Sequence, residues 1–188
     1  MNQFFTITLK YKTMRKLFLI ILFTSVFVGC KNEEPKKENL NAPKAIPAEF
    51  ADSKYEVIGK KSLMDLEKGD INSWVSAFSD DAVYKWNNGD SLVGKVAIVK
   101  FWKDRRANVI ETITFKNAIW LPINVKEPQS VEKPGIWLLG WYEVIVKYKK
   151  GKTMKQWIHT DYHFDANDKV DRVIQYIDRA VVNDALSK

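Results

Sequence analysis

Hydrophobic and polar positions change period twice along this chain. From Ser53 to Lys68 the positions Tyr55, Ile58, Ser62 and Leu66 recur at helical spacing. Ser53 and Glu56 have the capping-box arrangement at the start, and Gly69 supplies a left-handed stop. Asp70 then heads a second short helix reaching Phe78, with Ile71, Trp74, Val75 and Phe78 on one face. Residues 82–86 alternate as a strand, residues 87–90 hold the Asn-Gly pair of a hairpin turn, and residues 91–93 make a short return strand. Gly94 precedes a third helix whose Ile98, Phe101, Trp102 and Arg105 stand at i, i+3, i+4 and i+7. Core packing is the ordinary meaning of such a stripe.

From Ile110 the period drops to two. The first long strand runs to about Lys126 with Ile113, Phe115, Ile119 and Leu121, and Pro122 suggests an edge or a bend. Residues 127–135, with Pro128 and Pro134, make the longest loop. Residues 137–148 are apolar on both faces, which predicts helices over one side and a partner over the other. Gly140 in the middle predicts a bulge or bend. Strands over 154–164 and 170–177 follow, separated by the turn at 165–168, and the tail from Asp178 is expected to fray. Helices first and long antiparallel strands afterwards is an α+β order.

The N-terminus has a different logic. Met14-Arg15-Lys16 leads into an apolar run of about a dozen residues and then Gly29-Cys30, the secretory pattern. The run falls short of the roughly 20 apolar residues a membrane span needs. Met14 makes a better start than Met1, because residues 1–13 add nothing a signal requires. Phe27-Val28-Gly29-Cys30 resembles the lipobox of bacterial lipoproteins, with Phe27 where Leu is usual. That resemblance implies residues 1–29 as signal peptide and a lipidated Cys30 holding the chain to a membrane. Residues 30–50 contain three prolines and many charges, the composition of a flexible tether, which leaves 51–188 as the folded domain. Lys31 after the cysteine favours the outer membrane, facing either the periplasm or the cell surface.

Charge changes the picture less than its total suggests. The formal charge is +7, but four of the 30 basic residues lie in 1–29 with no acid, leaving 26 basic against 23 acidic side chains. That balance and the lack of a binding motif exclude nucleic acid as the expected partner. Cys30 is the one cysteine, so no disulfide framework exists.

Glu67-Lys-Gly-Asp-Ile-Asn-Ser-Trp-Val75, Phe78-Ser-Asp-Asp-Ala-Val-Tyr84, Gly94-Lys-Val-Ala-Ile98, His163-Phe-Asp-Ala-Asn-Asp-Lys-Val170 and Gln175-Tyr-Ile-Asp178 together resemble the nuclear transport factor 2-like superfamily, nearest its SnoaL-like branch. Asn167-Asp168 stands where that branch usually shows Asp-Gly. The resemblance covers about residues 53–180. It implies a cone-shaped α+β barrel, three N-terminal helices on a curved, mostly antiparallel sheet, with an internal pocket and a homodimer through the sheet's outer face. It implies no single function, since members include isomerases, dehydratases, cyclases, epoxide hydrolases and binding or accessory domains.

The sharpest polar cluster is Trp157-Ile-His159-Thr-Asp161-Tyr-His163, whose alternate residues share one strand face. A neighbouring His159 and Asp161 have the makings of a general base and its orienter. By resemblance, the branch's acid–base positions fall nearest Asp161 and Asp178, with His159 beside them. His159 and His163 stand roughly 13 Å apart along a strand, too far for one ion with bonds of about 2 Å, so no metal is expected. No cofactor is expected either. The aromatic candidates for a ligand wall are Tyr84, Trp86, Trp120, Trp141, Trp157 and Tyr176, with Trp86 beside the 87–90 turn preferred. Trp141 and Tyr142 point to opposite faces, so at most one lines a cavity. Three readings stay open: an anchored domain binding a small apolar or aromatic ligand, a cofactor-free isomerase, dehydratase or hydrolase using the His–Asp pair, and a structural dimerisation module of an envelope assembly.

Overall fold

The structure is a computed structural model and describes residues 46–127 and 132–187. The expected signal peptide, the expected lipidation site Cys30 and the expected tether up to residue 45 lie outside the described residues.

Three helices come first. Helix α1 (Lys54–Lys68) ends where expected, at Gly69 with φ 76°. Its start differs: Ser53 is itself helical and makes no side-chain cap, and Asp52 Oδ1 accepts from the Lys54 amide at 2.7 Å instead. Helix α2 (Ile71–Ser76) is capped by Asp70, which accepts from Ser73 N at 2.9 Å. It stops two residues short of Phe78, because strand β2 (Phe78–Trp86) already begins there. Trp74 of α2 is 2% exposed and donates its indole N–H to Ser62 Oγ of α1 at 2.8 Å, tying the two helices together. After β3 (Ser91–Val93), helix α3 (Lys95–Asp104) widens into one π-helical turn (Arg105–Val109). Ile98 and Trp102 of the predicted stripe are buried.

The strands β4 (Ile110–Val125), β5 (Gly135–Tyr148), β6 (Thr153–Phe164) and β7 (Val170–Tyr176) pair antiparallel in sequence order. Strand β2 adds parallel to β7, with β3 outside it. A short strand β1 (Ala48–Phe50) pairs with the end of β4 at Ile123–Val125, so the last residues assigned to the tether belong to the sheet. The full order is β1-β4-β5-β6-β7-β2-β3, a curled sheet that does not close. This is the α+β architecture expected.

Two local expectations change. Gly140 carries no bulge; its neighbours Trp120 and Thr160 stay in register. The irregularity lies across the ladder at Lys116–Ile119, where Asn117 takes φ 55°. What Gly140 provides is close approach, since a Cβ there would sit 2.4 Å from the Trp120 ring. The C-terminal tail does not fray: α4 (Arg179–Leu186) forms, capped by Asp178, and buries Val182 and Ala185. That apolar spacing of three on an eight-residue segment is too short a signal to separate from a coil.

Candidate functional site

Alternation on β5 and β6 divides the sheet into two chemically different sides. Even-numbered residues turn inward under the helices, and there Tyr142, Val144, Val146, Tyr148, Met154, Ile158 and Tyr162 line a cavity of about 220 Å³. Trp74, Phe101 and Trp102 from the helices close it, with Tyr84 and Trp86 from β2. The rings interlock: Trp74 lies 5.6 Å from Trp102 edge-on, Tyr84 4.8 Å from Trp86, and Trp86 5.3 Å from Phe101. Such pairs contribute about 0.5–1.5 kcal/mol each beyond their burial.

A chain of polar groups crosses the inner face. Trp86 Nε1 donates to Gln175 Oε1 at 3.1 Å, and Gln175 Nε2 reaches Thr160 Oγ1 at 3.5 Å. The Tyr142 hydroxyl donates to Thr160 Oγ1 at 2.8 Å and lies 3.5 Å from the Tyr162 hydroxyl. Burial pushes the Tyr84 and Tyr162 hydroxyls well above the ordinary tyrosine range. These phenols stay protonated and act as donors and acceptors, not as bases. At the rim stand Asp90, Arg105, Arg179 and Asn183. Asp90 is taken up by Asn88 Nδ2 at 2.8 Å and by Arg179 at 3.7 Å. Burial holds the Arg105 guanidinium below the usual arginine range, and the nearby Arg179 adds repulsion.

Odd-numbered residues of β5 and β6 face the other way. His159 lies there, across from Trp141 on β5 and Tyr176 on β7. Its ring stacks on Trp141 at 4.4 Å and lies 5.5 Å from Tyr176. His159 Nδ1 is 3.1 Å from the Gly140 carbonyl, an acceptor, so this nitrogen donates. Nε2 stands 2.7 Å from Asp161 Oδ1. The expected His–Asp neighbours are therefore together, but neither lines the cavity. His163 is a separate unit: Nδ1 is 2.5 Å from Asp171 Oδ1 and Nε2 is 3.0 Å from the Pro134 carbonyl.

The predicted site residues thus divide. Tyr84 and Trp86 line the cavity. Trp120 is on the inner side but packs over Gly140, 5.7 Å from Tyr142 and 6.4 Å from Tyr162, and does not reach the cavity. Trp141, Trp157 and Tyr176 belong to the outer face, where Trp157 is 53% exposed. Asp178 caps α4 by accepting from Ala180 N at 2.8 Å and does not line the cavity. The pattern was correct about which residues share a face, but nothing in a strand's alternation says which face looks inward. Arg105 went unnoticed as a site residue, although a cation at the fourth place of an apolar helical stripe was its signal.

No protein-family profile and no curated protein matches this sequence. Solved structures do. A candidate isomerase from Bacillus subtilis is 16% identical, with a TM-score of 0.55 over 71% of this chain and 92% of that one. A candidate polyketide cyclase from Xanthomonas campestris pv. campestris is 13% identical, with a TM-score of 0.57 over 70% and 96%. A nuclear transport factor 2-like protein of unknown function from Burkholderia pseudomallei is 11% identical, with a TM-score of 0.56 over 71% and 97%. At these identities the likeness is one of architecture, and the architecture is the cone of helices and curled sheet found in nuclear transport factor 2-like proteins.

Proposed function

We propose that this chain is a membrane-anchored lipoprotein whose cone-shaped domain binds a small, largely apolar or aromatic molecule in the cavity on the sheet's inner side. The observation that carries this reading is the cavity itself: about 220 Å³ walled by Trp74, Trp86, Phe101 and Trp102, with a few polar groups at its rim. Pockets that take small molecules have this composition, although most are somewhat larger. Catalysis by His159 and Asp161 would need the pair inside that enclosure, and it faces away. The candidate isomerase and polyketide cyclase among the similar structures keep an enzymatic role in view. Here it would have to use other groups, and Asp90 is the one carboxylate among the described lining residues.

The anchor is Cys30, and the tether after it leaves the domain free to sample the layer next to an outer membrane. The domain pairs with a second copy through the outer face of its sheet. Ile119, Trp157 and Tyr176, at 58%, 53% and 45% exposure, supply the apolar surface for that contact.

The test is tryptophan emission and thermal unfolding of the full chain against single-ring aromatic ligands. A ligand at about 100 times its Kd adds about 2.7 kcal/mol of stability. The variant Ile158→Trp, which fills the cavity, is expected to abolish that shift, whereas His159→Ala and Asp161→Ala leave it in place. A cavity-filled variant that binds as well as the parent refutes the reading. Native mass measurement checks the pairing, which Trp157→Asp is expected to break.

A further inference from the structure

Three residues that line this cavity, Arg105, Tyr84 and Trp102, carry hydrogen-bond donors with no acceptor among the described residues. The Arg105 guanidinium, half-buried where α3 widens into the π turn, lies over the Phe101 ring at 5.6 Å and forms no ion pair with any described carboxylate. The Tyr84 hydroxyl sits on a side chain 3% exposed and donates to no described oxygen. Trp102 Nε1 is buried without a partner. Buried donors in native proteins nearly always find acceptors, so the Trp102 indole calls for a physical reason, while Arg105 and Tyr84 line the cavity and can meet an acceptor that enters it. Acceptors are scarce here, because Asp90 is already engaged by Asn88 and Arg179. Among the described lining residues, two arginines stand against one acid.

We infer that the cavity's ligand is an acid, whose anionic group, a carboxylate in the first instance, sits on Arg105 and takes the Tyr84 hydroxyl as a second donor. Its apolar body lies against Trp86 and Phe101. This rests on the ligand-binding reading above and narrows it to a chemical class. A guanidinium suits a carboxylate because its planar fork matches two oxygens. Partial desolvation at the rim strengthens that pair beyond its worth in water. The size is also bounded: about 220 Å³ is the liquid share of roughly seven waters, room for one ring or a short chain.

The test uses three probes of nearly equal shape on the full chain: phenylacetate, its neutral counterpart phenylacetamide, and cationic phenethylamine, titrated calorimetrically at neutral pH. Phenylacetate is expected to bind about tenfold or more tighter than the amide, the ratio a charge-assisted hydrogen bond supplies. The amine is expected to bind weakest. Arg105→Gln should bring the acid to within about twofold of the amide, and Arg105→Lys should retain part of the preference. Tyr84→Phe keeps the ring and should weaken the acid about three- to tenfold, more than the amide. It decides the matter if the Arg105 variants fail to fold. Equal affinity for acid and amide, or a preference indifferent to both Arg105→Gln and Tyr84→Phe, overturns the assignment of an acid and leaves the cavity reading standing. No binding of any of the three up to about 10 mM, where even a millimolar Kd would register, overturns both.

Discussion

The substitution Gly140→Ala isolates the contact that seats α1 on the sheet. Trp120 lies between two glycines: a Cβ at Gly140 would stand 2.4 Å from its Cζ3, and one at Gly59 of α1 would stand 2.9 Å from the same atom and 2.7 Å from Leu138 Cδ2. Tyr142 and Tyr162 lie 5.7 and 6.4 Å away on the inner side of the indole and oppose its retreat in that direction. Alanine ordinarily improves on glycine in a strand or helix by about 0.5–1 kcal/mol. Forcing a methyl into a packed interior costs about 1–3 kcal/mol. The overpacking wins, for a net loss of roughly 0.5–2 kcal/mol, since the backbone gain offsets only part of it. In a domain of this size that lowers Tm by about 2–6 °C, readable by calorimetry or circular dichroism. Replacing Trp120 by Phe removes the offending edge of the ring. In that background Gly140→Ala should cost nothing or stabilise, giving a coupling of about 0.5–3 kcal/mol in the double-mutant cycle. A Gly140→Ala protein more stable than the parent, or a penalty unchanged by Trp120→Phe, would show that the close approach is not what fixes glycine here.

Three further outcomes follow from other contacts. Burial alone would raise Asp171, yet hydrogen bonds from Lys133 at 2.7 Å and His163 at 2.5 Å outweigh it and hold its carboxyl below the ordinary range. A depressed carboxyl contributes stability that is complete above its unfolded value near 3.8 and lost as pH falls through the lower folded value. Urea midpoints measured from pH 5 to about 2 should therefore fall more steeply in the parent than in Asp171→Asn. Asp178→Ala removes the cap of α4 and should cost about 0.5–2 kcal/mol in urea unfolding. Because Val182, Asn183 and Leu186 of that helix line the cavity, ligand affinity should drop with it. His159→Ala and Asp161→Ala should leave cavity binding within about twofold, being on the opposite side of a pleated sheet; a tenfold loss from either would place the pair in the site after all.

Much of this protein was legible in its residues, for reasons specific to each. Gly69 and Gly94 mark chain reversals because their positive φ, 76° and 83°, is costly for other residues. Asp70 reads as a cap because its short carboxylate reaches the Ser73 amide from outside the helix. The long strands announce themselves by alternation, or in β5 by a run apolar on both faces, over seven to sixteen residues. Two short elements without such signals did not: β1 has three residues and α4 eight, and each exists because a neighbour accepts it. Ala48–Phe50 pairs with Ile123–Val125, and Val182 and Ala185 bury against the sheet side of α4. In isolation neither segment would hold together, since a single strand has no ladder and a helix that short is marginal in water.

By itself, then, the order of residues determined an α+β chain of helices followed by long strands, and it grouped His159 with Asp161 and Tyr84 with Trp86. Only the tertiary structure decided which group met the cavity. Alternation is symmetric: a strand sorts its side chains into two sets and carries no label for inside and outside. The label comes from where α1, α2 and α3 pack, and from the curl that turns one face of the sheet into a cup. Those helices cover Tyr142 and Ile158, which leaves Trp141, Trp157 and His159 on the far side. The same packing brings Arg105, one turn beyond Phe101 and Trp102, to the rim of a hydrophobic enclosure.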